Sequence, residues 1–317
     1  MYSRIVGTGK YLPERILTNA ELERMVDTTD EWIRSRTGIE FRHIAADNEF
    51  TSDLASKAGL EALQSAGLTP NDIDLVVVGT TTPDLIFPNV ACLVQEKLGI
   101  KSCPAFSLEA ACSGFVYGLV VADQFIRLGA AKRALVIGAE TMSRIIDWTD
   151  RETCVLFGDG AGAVVLEAAE SPGIMYSTLG ADGRYRDLLY ASSGVSLRQR
   201  EGAALRMKGN EVFKVAVKTL ENLVDEVVAK SNLEKGQIDW LIPHQANIRI
   251  ISATARRLEL PMERVILTVR EHGNTSAASV PMALDTAIRD GRVKRGDLLL
   301  LEAFGGGFTW GASLIRY

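Results

Sequence analysis

Ile126-Arg127-Leu128-Gly129-Ala130-Ala131-Lys132-Arg133 runs straight into Ala134-Leu135-Val136-Ile137, and the same plan returns 162 residues later. There Ile288-Arg289-Asp290-Gly291-Arg292-Val293-Lys294-Arg295 leads toward Leu298-Leu299-Leu300-Leu301. Each copy passes a glycine and a basic turn and then enters a short apolar run, the pattern of a strand buried on both faces. Two further echoes keep the order. Leu68 followed by Ile73-Asp74 matches Leu233 followed by Ile238-Asp239, and Phe157-Gly158-Asp159-Gly160 matches Phe304-Gly305-Gly306-Gly307. Three ordered matches whose offsets drift from 165 to 147 are what an old duplication with loop insertions leaves. The expectation is two similar halves, 1–170 and 171–317.

Around these repeats the element types alternate. Leu75-Val76-Val77-Val78 is another buried-strand run. Residues 52–66 read as a helix that starts at a capping Ser52 and stops before Gly67. Over 211–230, Val212, Ala216, Leu220, Leu223 and Val227 form one helical stripe. The class is α/β with covered sheets. At the 162-residue offset Cys112 falls on Asn274, which predicts the same place in each half for both, just before a helix. Two helix amino termini would then face a common site and favour negative charge there.

The chain has 317 residues, a net charge of -5, 47% hydrophobic and 24% charged residues. That length exceeds the roughly 250–300 residues over which one core keeps growing. The balance excludes disorder and collagen-like repetition. No run of about 18 apolar residues occurs, and MYSRIVGTGKYLPERI holds no apolar segment of signal-peptide length, so a cytoplasmic protein is expected. An acidic balance argues against general nucleic-acid binding. There are three histidines and four cysteines, with no C-x-x-C pair and no zinc-site spacing, so no metal is expected.

Reactive groups must come from that short supply. Cys112 sits in Glu109-Ala110-Ala111-Cys112-Ser113-Gly114, where small neighbours allow a sharp turn. A thiol at a helix amino terminus has a lowered pKa, which favours the nucleophilic thiolate. Cys92, Cys103 and Cys154 read as structural. His244, in Pro243-His244-Gln245-Ala246-Asn247, follows a strand run just where α/β sheets place ligands, although a lone histidine often only bonds a loop carbonyl. Asn274, in His272-Gly273-Asn274-Thr275-Ser276, offers a neutral donor for a developing oxyanion or an ordinary helix cap. His272 has no chemistry to defend and reads as structural. Gly158-Asp159-Gly160-Ala161-Gly162-Ala163 fits a dinucleotide fingerprint on paper but leads into a strand, so that reading fails. Gly7-Thr8-Gly9 lacks the third glycine, and Gly305-Gly306-Gly307 reads as backbone approaching another group, with an N–H for an oxyanion.

With Cys112, Pro243-His244-Gln245-Ala246-Asn247 and His272-Gly273-Asn274-Thr275-Ser276 assembled, the chain resembles the thiolase-like condensing enzymes. It is most similar to the β-ketoacyl-[acyl-carrier-protein] synthase III family, which initiates fatty acid synthesis. The resemblance covers nearly the whole chain, through Asp30-Glu31-Trp32-Ile33 and Arg36-Thr37-Gly38-Ile39 to Glu302-Ala303-Phe304-Gly305-Gly306-Gly307-Phe308-Thr309-Trp310-Gly311. Elongating relatives use Cys-His-His, whereas Asn274 stands at the third place here. The resemblance implies a thiolase-like fold, a layered α-β-α-β-α arrangement of two duplicated halves, in a homodimer. It implies decarboxylative condensation of an acyl-CoA primer, acetyl-CoA first, with malonyl-acyl carrier protein, without metal or redox cofactor.

In that scheme Cys112, His244 and Asn274 are catalytic, and the N–H groups of Cys112 and Gly306 form the oxyanion hole. Trp32 is similar to the residue that stacks on the CoA adenine, with Arg151 on the other face. Thr28, Arg36, Ala246 and Asn247 would line the CoA channel. The carrier-protein surface would comprise Gln245, Ala246, Asn247, Ile248 and Arg249, with Arg256 and Arg257 on the same helical face and Lys214 beside it. Phe87 resembles the aromatic that limits the acyl pocket from across the dimer. No motif in 184–206 defines pocket depth. Competing expectations are a condensing relative with another primer, a thiol hydrolase using Cys112 and His244, and a non-enzymatic carrier-protein docking module.

Overall fold

A computed structural model describes residues 1–192, 194, 196 and 204–317; part of the 184–206 stretch lies outside the described residues. The first portion builds β1 (Tyr2–Tyr11), β2 (Arg15–Thr18), α1 (Asn19–Leu22), α2 (Asp30–Thr37) and β3 (Phe41–Ile44). It continues with α3 (Thr51–Ser65), β4 (Leu75–Gly79), α4 (Val90–Leu98), β5 (Ala105–Leu108), α5 (Gly114–Arg127), β6 (Arg133–Thr141) and β7 (Asp159–Ala169). Then follow β8 (Ile174–Ala181), β9 (Leu189–Ala191), β10 (Leu205–Met207), α6 (Gly209–Ser231) and β11 (Trp240–Pro243). The last elements are α7 (Ile248–Leu258), α8 (Val269–His272), α9 (Ser279–Arg289), β12 (Leu298–Gly305) and β13 (Thr309–Arg316).

Two sheets carry the fold. The first has the order β1-β7-β6-β4-β5 and the second the order β11-β12-β13-β8. In each, a parallel pair (β4 with β6, β11 with β12) adjoins two antiparallel steps, so the second sheet repeats the first without a counterpart of β5. The runs that decide the fold are β6 and β12, central in their sheets.

The period-2 alternation of strand side chains sorts the apolar residues into layers. On β6, Ala134 and Val136 join α5 and α9 in one core, while Leu135 and Ile137 join α3 and α4 in another. On β12, Leu299 and Leu301 face the same α5–α9 layer, while Leu298 and Leu300 face α6 and α7. The order is therefore helices, sheet, helices, sheet, helices, with α5 and α9 in the middle. Burying each such leucine contributes roughly 2–3 kcal/mol, which is why continuous apolar runs, rather than alternating ones, mark these strands.

Gly7 and Gly9 let α3 lie directly on β1: a Cβ at either would stand 2.3–2.4 Å from the carbonyl oxygens of Ala62 and Ala58. Helix α3 begins one residue before the expected start, and Ser52 is not its cap. The Asp53 carboxylate instead accepts from the Phe50 amide at 2.9 Å, and Asp84 accepts from the amide and hydroxyl of Ser52 at 2.9 and 2.6 Å. Asp84 thereby fastens the loop leading to Phe87 onto α3.

Candidate active site

After β5 the chain makes one tight turn, Ala111–Ser113, and enters α5. Ala111 has φ 46°, in the left-handed region where a Cβ costs on the order of 1–3 kcal/mol. Thr309 holds the turn: its hydroxyl donates to the Ala110 carbonyl at 2.8 Å, and its carbonyl accepts from the Ser113 hydroxyl at 3.1 Å. A second turn of the same kind, Ser276–Ala278 with Ser276 at φ 50°, leads into α9. A Cβ on Gly114 would lie 3.3 Å from the Ala277 Cβ, so the two helix amino termini meet. The left-handed residues pair Ala111 with Ser276, which puts Cys112 opposite Ala277 rather than Asn274. The offset of 162 fails here because α5 has 14 residues and α9 has 11, so the repeats shift by three across the helix.

Ser276–Ser279 gathers the reactive groups. The Asn274 side-chain oxygen accepts from the Ser276 amide at 2.9 Å, which leaves its NH2 group free to donate elsewhere. The Asn274 backbone is pinned on both sides, donating to the Leu156 carbonyl at 2.8 Å and accepting from the Gly158 amide at 3.0 Å. The Ser276 hydroxyl donates to Glu140 at 3.1 Å. His244, just past β11, has its amide on the Glu302 carbonyl at 2.8 Å and its ring Nδ1 2.5 Å from the Ser279 hydroxyl. Cys112, His244 and Asn274 are 7%, 8% and 6% exposed, so all three lie nearly closed to solvent.

Burial governs the proton affinities. The Cys112 thiol is pushed up to about 12, chiefly by burial, with the Ser276 hydroxyl opposing and the Glu140 charge adding. This reverses the expected lowering. Burial here is worth on the order of 4 kcal/mol against the thiolate, more than the ~1–2 kcal/mol a helix amino terminus offers in return. Burial pushes His244 down to about 4, so the resting pair is a thiol and a neutral imidazole. Glu140 is raised to about 7 by burial although Thr80, Thr81, Thr82 and Ser276 all donate to it. His272 is also buried, and is pushed down to about 3.

The glycine run at the end of β12 crosses the Cys112 turn. A Cβ on Gly305 would stand 2.6 Å from the Cys112 nitrogen, and one on Gly306 would be 3.7 Å from the Ala111 Cβ. Further out, the Arg151 guanidinium lies 5.1 Å from the Trp32 ring centroid and 3.6 Å from Asp27. Thr28 has a buried hydroxyl without a hydrogen-bond partner among the described residues, and Arg36 is exposed on α2. Ala246 and Ile248 are half-buried, and Asn247 is the cap of α7, accepting from the Arg249 amide at 2.8 Å.

Two expected carrier-protein contacts are engaged inside the chain. Gln245 is fully buried: its NH2 donates to the Pro243 and Ile266 carbonyls at 2.8 and 3.0 Å, and its oxygen accepts from the Thr268 and Val269 amides at 2.8 and 3.0 Å. Its side chain braces the His244 loop instead of meeting a partner. Arg257 is bound to Asp225 on α6. Lys214, Arg249, Arg256 and Arg257 are all exposed, with Arg249 4.9 Å from the Phe213 ring centroid. Phe87 is 82% exposed and lines nothing within its own chain.

Sequence reasoning missed Ser276, Ser279 and Glu140. The two serines sit at a spacing of three inside the very motif that exposed Asn274, but a hydroxyl without a visible partner reads as a small spacer. Among the described residues no group of three or more His, Cys, Asp or Glu is placed to hold a metal ion, and no helix is long and apolar enough to cross a membrane.

Comparison with known proteins gives concordant matches. Family models described as 3-oxoacyl-[acyl-carrier-protein (ACP)] synthase III and its C-terminal part match residues 106–183 and 228–317. Proteins named beta-ketoacyl-[acyl-carrier-protein] synthase III from Xanthomonas campestris pv. campestris and Alkalilimnicola ehrlichii are each 64% identical, covering 100% of this chain and 99% of their own. The crystal structure of 3-oxoacyl-[acyl-carrier-protein] synthase III from Aquifex aeolicus has a TM-score of 0.95 at 50% identity, covering 99% of this chain and 100% of that one. The priming β-ketosynthase of the R1128 polyketide pathway reaches the same TM-score at 36% identity, covering 99% of this chain and 96% of its own.

Proposed function

The chain belongs to the 3-oxoacyl-[acyl-carrier-protein] synthase III family, and from that premise we propose that it condenses an acyl-CoA primer with malonyl-acyl carrier protein. The products are 3-oxoacyl-acyl carrier protein, CoA and CO2, and the reaction initiates fatty acid synthesis. The observation that carries the catalytic assignment is the Ser276–Ser279 span, which bonds Asn274 and His244 and packs, through Ala277, against the turn that bears Cys112, all at one buried place.

Cys112 attacks the primer thioester, its proton leaves with the CoA sulfur, and an acyl-Cys112 thioester remains. Malonyl carrier protein follows. The Asn274 NH2 and the His244 ring donate to its thioester carbonyl as loss of CO2 leaves an enolate. The enolate carbon attacks the acyl-Cys112 carbonyl, the N–H groups of Cys112 and Gly306 receive the oxyanion, and as the carbonyl reforms the Cys112 sulfur departs as a thiolate that takes up a proton from solvent. Each such donor contributes on the order of 3 kcal/mol. Every step is nucleophilic or decarboxylative, so the scheme calls for no metal or redox group. Acetyl-CoA is the proposed primer, with its adenine between Trp32 and Arg151. Malonyl carrier protein docks on the exposed Lys214, Arg249 and Arg256. The consecutive exposure of Leu85, Ile86 and Phe87 at 51%, 73% and 82% supports a homodimer in which this loop is covered. The proposed setting is the cytoplasm, and the proposed division is into halves 1–170 and 171–317.

Mass spectrometry after mixing with acetyl-CoA tests the scheme. An acetyl adduct on the Cys112 peptide, absent in Cys112→Ser and discharged by malonyl carrier protein as a ketoacyl product, is expected. No adduct from acetyl, branched or longer acyl-CoAs on folded protein would overturn it.

A further inference from the structure

The chemistry assigned to His244 depends on which ring nitrogen carries its hydrogen, and the surroundings of Ser279 decide that. Ser279, the first residue of α9, is 2% exposed. Its hydroxyl oxygen lies 2.5 Å from His244 Nδ1 and 3.3 Å from the Gln245 amide nitrogen. An amide can only donate, so Gln245 occupies one lone pair of that oxygen. A hydroxyl has one hydrogen to give. Were Nδ1 also a donor, the Ser279 hydrogen would need another acceptor, and none is within bonding distance among the described residues. Directing that hydrogen to Nδ1 satisfies all three groups.

We propose that Ser279 is the positioning residue that fixes His244 in the tautomer with hydrogen on Nε2, making the ring a hydrogen-bond donor and not a proton acceptor at its reactive edge. This rests on the condensing role given to His244 above. It narrows that role to donation toward the malonyl thioester carbonyl and removes the neutral ring as the base that takes the Cys112 proton. Gln245 takes part from behind: its side chain, bound by four contacts, fixes the amide that holds the Ser279 oxygen.

The test pairs a spectroscopic readout with a split of the two half-reactions. In histidine-15N-labelled protein, with the His244 signals assigned by their loss in His244→Ala, two-bond 1H–15N correlations should show hydrogen on Nε2 at neutral pH. Ser279→Ala should release the ring to a mixture of tautomers. Its decarboxylation of malonyl carrier protein should fall about 10- to 100-fold, with transfer of acetyl from acetyl-CoA to Cys112 kept within about threefold. Ser279→Thr, which retains the hydroxyl, should restore both. Hydrogen on Nδ1 in the wild-type protein would overturn the proposal whatever the variants do. So would a Ser279→Ala protein that decarboxylates at the wild-type rate. Failure of the wild-type chain to accept acetyl at all would strike the condensing scheme instead, and the tautomer measurement would still stand on its own.

Discussion

Gly305 lies flat against the amide of Cys112, so that a Cβ at position 305 would stand 2.6 Å from that nitrogen and 3.1 Å from the Ser113 nitrogen. Both obstacles are backbone, which cannot swing aside. Gly305→Ala must therefore push the glycine hairpin off the nucleophile turn. We expect acylation of Cys112 to fall at least about 100-fold, as for loss of an oxyanion donor, with stability lowered by roughly 1–3 kcal/mol. Gly306→Ala meets the Leu189 carbonyl at 3.2 Å and the Ala111 Cβ at 3.7 Å, and should stay within about tenfold of wild type. Single-turnover acylation by mass spectrometry compares them, and equal losses would contradict the account.

Trp32 and Arg151 face each other at 5.1 Å, closer than the ~7 Å that a base stacked on both sides needs. CoA binding should thus widen the gap between the guanidinium and the ring. Trp32→Ala is expected to raise KM for the acyl-CoA by about 5- to 100-fold, the range of one lost stacking contact, with kcat within about twofold. A drop in kcat at unchanged KM would remove Trp32 from the CoA site.

Glu302 supplies a pH signature. It is fully buried, neither carboxyl oxygen has a hydrogen-bond partner among the described residues, and burial raises it to about 8 from an ordinary 4.5. A group with a raised folded value stabilises fully below its unfolded value and loses that contribution as pH rises through the folded one. Stability should accordingly decline from about pH 4.5 to 8 through this residue. Glu302→Gln should be favoured over wild type by an amount that grows across the same interval, reaching on the order of 3 to 5 kcal/mol. Melting temperatures at pH 5, 7 and 9 measure this, and a constant gap would refute it. His244 and His272, held down to about 4 and 3, act oppositely: their contribution is present above about pH 6.5 and fades as pH falls through those values.

Arg249 and Arg257 share helix α7 but differ in freedom, since Arg257 is bound to Asp225. Arg249→Glu should lower kcat/KM for malonyl carrier protein about tenfold at low ionic strength, a loss that shrinks in high salt because steering is screened. Arg257→Ala should show a smaller salt-dependent loss. A salt series on both variants decides, and identical responses would count against the distinction.

The sheets were legible because β4, β6 and β12 are buried on both faces and so announce themselves as unbroken apolar runs. Cys112 and His244 stand out in the sequence as scarce residue types and Asn274 through its motif, and the fold buries all three. Correspondence between the halves was misjudged at the site, since a three-residue difference between α5 and α9 is silent in the flanking strands that set the offset. The thiol's proton affinity was misjudged because a helix terminus is visible in sequence while the depth of burial is not. Glu140 and Ser279 stayed hidden for a related reason. Glu140 lies 136 residues from Ser276, and Ser279 lies 35 from His244; only folding makes them neighbours.

Strand β13 bears on how the protein folds. Thr309–Arg316 is an interior strand, flanked by β12 and β8, and Thr309 also clamps the Cys112 turn. A partly folded chain in which this strand is not yet in place leaves β8 without its neighbour and the nucleophile's turn unlatched, although Cys112 and Thr309 lie some two hundred residues apart in sequence. Arming of the nucleophile is thereby tied to closure of the second sheet.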